Sequence, residues 1–273
     1  MEEDLRMTTA AGLSARDVTL AYDARTVIEE LSFDVPDAEF TVIVGPNACG
    51  KSTLLKALAR TLKPVSGEVL LDGRAIGEYR SKAVARRLAM LPQSPIAPEA
   101  ISVRDLVGRG RYPHQTLLRQ WTSADGDAVE HALEATGVAE LTDRHVAELS
   151  GGQRQRAWIA MVLAQQTEYL LLDEPTTFLD IAHQYEVLDL CSRLHAAGRT
   201  VVAVLHDLNQ AARYATHLVC MKDGAILAQG RPDEIMTSEL IHAAFGMDCR
   251  IITDPESGSP MVIPRHTREL ARR

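Results

Sequence analysis

The sequence predicts an α/β fold: a parallel sheet covered by helices on both faces, an antiparallel β-layer beside it, and an inserted helical subdomain. Three observations carry this prediction. Continuous apolar runs such as Thr41-Val42-Ile43-Val44, Tyr169-Leu170-Leu171-Leu172 and residues 200–205 alternate with helical stretches, the pattern of strands buried on both faces. A second set of short strands is bounded by turn residues, and the segment 96–148 changes to helical character. The 273 residues allow one large domain or two small ones, and the spread of the motifs below along most of the chain favours one composite domain.

Residues 1–13 have no periodic apolar pattern and read as a flexible tail. Residues 18–22, 31–35 and 68–71, the last closed by the Asp72-Gly73 turn, form the antiparallel layer. Strand 41–44 leads into a helix over 52–63, with Leu54, Leu55, Leu58 and Leu62 on one side and Pro64 as its stop. Residues 88–92 form a further strand. Within the helical subdomain, about 96–150, Ser102 and Asp105 make a capping box and Ser123 caps a helix over 125–137. The core resumes with helix 151–165, strand 169–173, helix 181–197 ended by Gly198, and strand 200–205. Residues 225–228, a helix near 239–245, and the pair 250–252 and 261–263 complete the chain, the main domain closing near 250 and a terminal hairpin and tail filling 251–273.

Composition narrows the function classes. Apolar residues make up 46% of the chain, and no run approaches the eighteen or so needed to span a bilayer. The start Met1-Glu2-Glu3-Asp4 is acidic where a secretory signal is basic and apolar, so the chain is expected to stay in the cytoplasm. The net charge of −8, with scattered basic residues, argues against a nucleic-acid partner. Cys49, Cys191, Cys220 and Cys249 form no C-x-x-C pair and read as reduced thiols, and the nine histidines make no ligand cluster.

Gly45-Pro46-Asn47-Ala48-Cys49-Gly50-Lys51-Ser52-Thr53 matches G-x-x-x-x-G-K-[ST], a loop whose successive N–H groups wrap nucleotide phosphates. The strand before it and the helix after it set the positive helix end against that anion. Lys51 is expected to reach the β- and γ-phosphates and Ser52 to ligate Mg²⁺. Asp173 and Glu174 end a buried strand where open α/β sheets hold ligands, Asp173 suited to Mg²⁺ or its waters and Glu174 to general-base work. Leu149-Ser150-Gly151-Gly152-Gln153 opens a helix and forms a second anion-receptive start, one more than a single nucleotide needs.

That surplus is explained by a resemblance. The run 149–153 resembles the signature motif of ATP-binding cassette (ABC) ATPases, which meets the γ-phosphate held by the opposite subunit of a dimer. The resemblance runs from Tyr22 to the terminal hairpin and implies further roles. Tyr22 resembles the aromatic that stacks on adenine, a role its flat apolar face suits. Gln93 resembles the Q-loop glutamine that contacts Mg²⁺ or the lytic water. Leu179-Asp180 resembles the D-loop that crosses the dimer interface, and His206 the switch histidine at the γ-phosphate. Two positions depart from the family pattern. Ala48 replaces a common glycine, so its backbone is expected to avoid torsions that a Cβ disfavours; Cys49 reads as a small filler whose reactivity is incidental, or else as a thiol whose pKa the helix end lowers.

The stretches 106–114, 154–160 and 176–180 resemble ATPases of bacterial ferric-siderophore importers, the ferric-enterobactin type above all. The resemblance implies a homodimer binding two Mg-ATP, seated peripherally on the cytoplasmic side of the inner membrane against polytopic permease subunits. A periplasmic or lipoprotein binding protein would serve the same importer without touching this chain. Haem, cobalamin or zinc cargo, and a permease-free ATPase of the iron–sulfur assembly type, remain the alternatives.

Overall fold

A computed structural model describes residues 12–23, 25–98, 100–116, 121–177 and 179–265. Residues 1–11 of the tail expected over 1–13, Phe178 and the last eight residues lie outside these. Elements follow in chain order: β1 (Leu13–Tyr22), β2 (Arg25–Asp34), β3 (Phe40–Val44), α1 (Lys51–Leu58), β4 (Ser66–Leu71), β5 (Arg74–Ala75), α2 (Ser81–Ala85), β6 (Leu88–Leu91), α3 (Val103–Gly108), α4 (Ser123–Ala135) and α5 (Gly151–Ala164). Then come β7 (Tyr169–Asp173), α6 (Ile181–Ala196), β8 (Thr200–Val204), α7 (Leu208–Tyr214), β9 (His217–Lys222), β10 (Ala225–Gly230), α8 (Pro232–Ile235), α9 (Ser238–Phe245), β11 (Cys249–Thr253) and β12 (Pro260–Pro264).

The main sheet has the order β10-β9-β3-β8-β7-β6, parallel except for the β9-β10 hairpin at its edge. Its strands β3, β7 and β8 are buried along their whole length because both faces are covered there. Val42 and Val44 of β3 point into a core shared with α3, α4, α5 and α6, whereas Ile43 points into a second core formed with α1 and the antiparallel sheet. That second sheet runs β2-β1-β4-β5, and the Asp72-Gly73 pair, φ 52° and 72°, makes its tight turn. The expected antiparallel layer, helical insertion and terminal hairpin are all present. Leu13 already belongs to β1 and is 1% exposed, so the strand begins earlier than the residues 18–22 read from sequence.

Two boundaries differ for identifiable reasons. Helix α1 stops at Leu58 rather than near 63, because Arg60 takes the left-handed conformation (φ 60°) and the chain closes back on the helix through Arg60 N–H to Ala57 O and Thr61 N–H to Lys56 O. Arginine fills this usual glycine position while its guanidinium donates to Tyr79 O and Gly77 O. Helix α4 is capped by Thr122, not Ser123: Thr122 Oγ1 accepts from Asp125 N–H and Asp125 answers to the Thr122 N–H. No described helix is long and apolar enough to cross a membrane.

Candidate active site at the carboxyl edge of the sheet

Strand β3 delivers the chain into Gly45 (φ 156°), where an added Cβ would lie 2.2 Å from the Met221 carbonyl oxygen of β9. No side chain fits that close approach. Gly50 (φ 105°) then turns the chain into α1. Contrary to expectation, Ala48 does not avoid a restricted torsion: it holds φ 60°, at a cost of about 1 kcal/mol for a residue with a Cβ. Cys49 follows the first of its two readings, a small buried filler. Burial pushes its thiol pKa up and outweighs the opposing pull of Lys51, so the thiol is not activated by the helix end.

Lys51 is 5% exposed, and its Nζ donates 2.8 Å hydrogen bonds to both Gly45 O and Pro46 O, which centres the ammonium in the loop. Ser52 Oγ donates to Asp173 Oδ1 at 2.7 Å. Asp173 is 1% exposed and its other oxygen, Oδ2, has no hydrogen-bond partner among the described residues. Burial raises the Asp173 pKa, Ser52 pulling it down and Glu174 pushing it further up. A half-satisfied buried carboxylate beside a hydroxyl is a hard oxygen donor set, so the residues present fit Mg²⁺.

Glu174 adjoins this pair at the end of β7, in the left-handed region (φ 53°). Its Oε1 lies 2.7 Å from His206 Nε2, and its Oε2 accepts from Gln93 Nε2 at 2.7 Å and Thr177 Oγ1 at 3.1 Å. Burial works against the charged carboxylate, but the bonds from His206, Gln93 and Thr177 prevail and hold its pKa below the ordinary value. The three elements β6, β7 and β8 thus converge on one carboxylate: Gln93 follows β6, Glu174 follows β7 and His206 follows β8.

These groups open on a cleft of about 360 Å³ lined by Tyr22, Arg25, Val27, residues 47–53, Glu174 and His206. Tyr22 is 42% exposed, with Lys56 Nζ 5.8 Å from its ring centre. The structure therefore brings together Tyr22, the 45–53 loop, Gln93, Asp173, Glu174 and His206. Ser150, Gly151, Gly152 and Gln153 do not line that cleft. Ser150 caps α5 reciprocally with Gln153, and a Cβ on Gly152 would come within 3.2 Å of the His183 ring. Asp180 caps α6 through His183 N–H at 3.0 Å and meets His183 Nδ1 at 2.6 Å, bonds that lower its pKa. Sequence reading missed Thr177, Arg25, Val27, Lys56 and His183 as neighbours of the site. Only Thr177 carried a signal, its place three residues after Glu174.

Comparison with known proteins matches residues 28–177, more than half of the chain, to the family described as ABC transporter. The ferric enterobactin transport ATP-binding protein FepC of Escherichia coli (strain K12) is 54% identical over 257 residues, covering 94% of this chain and 95% of that one. The probable siderophore transport system ATP-binding protein YusV of Bacillus subtilis (strain 168) is 52% identical, with 93% of each chain covered. Among solved structures, an inward-facing putative metal-chelate type ABC transporter shares 30% identity at a TM-score of 0.79, over 93% of this chain and 97% of that one. A dimeric bacterial ABC transporter cassette, 23% identical with a TM-score of 0.72 over 80% and 98%, shares the fold. With its phosphate-binding loop, paired carboxylates and capped Ser150 helix on this frame, the chain belongs to the ABC transporter family, as one of its ATP-binding, ATP-hydrolysing subunits.

Proposed function

We propose that this subunit powers an importer for ferric siderophores, working as a homodimer that binds two Mg-ATP between its subunits. It sits peripherally on the cytoplasmic side of the inner membrane against polytopic permease subunits, in an importer that a periplasmic or lipoprotein binding protein supplies. The observation that supports the hydrolytic role is the Glu174 carboxylate, fixed by His206, Gln93 and Thr177 beside the Lys51 loop.

The chain's own residues divide the work. The N–H groups of the 45–53 loop and the Lys51 ammonium bind the β- and γ-phosphates of the substrate, Lys51 trading two bonds to neutral carbonyls for bonds to charged phosphate oxygens. Tyr22 offers its exposed ring to the adenine. Mg²⁺, when bound, neutralises phosphate charge; Ser52, Gln93 and Asp173 are the residues that would hold it. Glu174, deprotonated at neutral pH, takes the proton of the attacking water, and Gln93 and His206 orient it. Ser150, Gly151, Gly152 and Gln153 serve the partner subunit's nucleotide, and Asp180 borders the same interface. The two relatives described above, named for ferric enterobactin and siderophore transport, support the cargo.

Deleting the gene should abolish uptake of iron supplied as a ferric siderophore, a catecholate first, while haem, cobalamin and zinc uptake continue. A Lys51→Ala copy should not restore it. Lost haem or cobalamin uptake with normal siderophore uptake overturns the cargo; loss of none favours an ATPase without a permease.

A further inference from the structure

Around Glu174 the hydrogen bonds close into a ring that passes through two glutamines. On one side, Thr177 Oγ1 donates to Glu174 Oε2 and Thr177 N–H to Glu174 O, and Leu179 N–H reaches Thr176 O at 3.4 Å. From there Gln184 Nε2 donates to Leu179 O at 3.1 Å, and Gln184 Oε1 accepts from Gln210 Nε2 at 2.7 Å. Gln210 lies in α7, whose first N–H groups, those of Asn209 and Gln210, are both capped by Asp207 Oδ1 at 2.8 Å. The residue before that cap is His206, which returns to Glu174 Oε1.

We propose that Gln184 and Gln210 are positioning residues for ATP hydrolysis, an oriented amide relay that fixes the switch helix α7, and with it His206, relative to the Leu179-Asp180 turn. The inference rests on the reading of Glu174 as general base. Three physical points carry it. Gln210 is 6% exposed, and a buried amide is costly unless its bonds are met, whereas an apolar side chain would pack there without that demand. The relay has direction: Gln184 spends its N–H on Leu179 O at the start of α6 and its oxygen on Gln210 of α7, so a slip of α7 against α6 breaks the bond that joins them. Finally, the imidazole of His206 is 47% exposed, so its place is set largely by the backbone that α7 holds.

The test uses the full chain with Mg-ATP, comparing Gln210→Leu, Gln184→Leu, Gln184→Glu and the double variant Gln184→Leu/Gln210→Leu. Gln184→Glu keeps the acceptor for Gln210 and removes the donor to Leu179 O. Each single variant should lower kcat about tenfold with KM for ATP changing less than about twofold, and the double variant should be no slower than either single, because one break already opens the ring. Wild-type kcat in all three single variants overturns the proposal. So does a double variant whose loss is the product of the singles and parallels a fall in melting temperature, since that marks a packing role only. Should Gln210→Leu not fold, Gln184→Glu, at a half-buried position, carries the comparison alone. Glu174→Gln is measured in parallel: if inactive beside normal relay variants, only the relay fails; if fully active, the base assignment falls and the proposal with it.

Discussion

Replacing Glu174 by glutamine separates shape from chemistry at the reacting centre. The amide can keep the native contacts. Its oxygen can accept from Gln93 and Thr177, as Oε2 does now, while its NH₂ faces His206, whose neutral ring can accept at Nε2. No buried donor is orphaned, so the fold and ATP binding should persist. What disappears is proton uptake. Loss of a positioned general base lowers turnover by roughly 10²- to 10⁴-fold, which is about 2.7 to 5.4 kcal/mol of barrier. Phosphate release from purified protein gives turnover, a fluorescent nucleotide gives affinity, and sizing chromatography with Mg-ATP gives the assembly state. Slow turnover, retained affinity and a long-lived dimer are expected. Turnover at the wild-type level would refute the assignment of the base, and loss of nucleotide affinity would refute the claim that the amide preserves the site.

Three further outcomes follow from the geometry. Mixing Lys51→Ala with Ser150→Arg subunits should recover activity, because a heterodimer then holds one intact site and one broken twice; no gain after confirmed subunit exchange rules out a signature acting across the interface. A thiol reagent should inhibit hydrolysis slowly at neutral pH and faster as pH rises, because burial raises the Cys49 pKa, with Mg-ATP protecting and Cys49→Ser resistant; equal inhibition of Cys49→Ser assigns the sensitive thiol elsewhere. Arg111 and Asp125 form an ion pair with side chains 6% and 8% exposed, so Asp125→Ala, which strands the guanidinium, should cost about 3 kcal/mol and lower Tm by about 6 to 12 °C. Burial works against the Asp125 charge, but the bonds from Arg111 and Thr122 together prevail and depress its pKa, so that contribution stands above pH 3.8 and is lost as pH falls through the folded value; an unchanged Tm at neutral pH counts against it.

What could be read from the sequence was what lies close together along the chain. The 45–53 loop, the Asp173-Glu174 pair and the Ser150 helix start are contiguous, and their flanking strands and helices stand where periodicity put them. Helix ends were less legible because neighbouring residues compete for the cap. Thr122 and Ser123 are both able caps, but three residues after Ser123 stands Gly126, with no side chain to answer, whereas Thr122 finds Asp125. Leu62 continues the apolar spacing of α1 and still packs against the core, yet the left-handed Arg60 has already ended the helix. For Cys49 two opposing effects met, and their sum was decided by a burial that no local motif records. The Gln184–Gln210 bond spans 26 positions and joins two helices, a pairing invisible until the sheet brings α6 beside α7.

The separation of the Ser150 helix from the cleft is itself a constraint on how the subunit switches. Moving a two-state dimer from 1:99 to 99:1 closed takes about 5.5 kcal/mol of differential binding, or about 2.7 kcal/mol at each of two sites. One or two charge-assisted hydrogen bonds per site supply that amount, at about 1.5 to 3 kcal/mol apiece. The capped start of α5 can offer them: the Ser150 hydroxyl and the first N–H groups of a helix, which have no partner within the helix itself. If these groups meet the partner-held nucleotide as proposed, their bonds depend on the terminal phosphate, and ADP would forfeit them and the closed state with it. By the same arithmetic, one nucleotide alone would move such a dimer only to about equal populations of open and closed. On the proposed reading of the Ser150 helix, a full stroke would therefore require both sites occupied, and a second phosphate cradle outside the cleft of its own subunit is what such a requirement calls for.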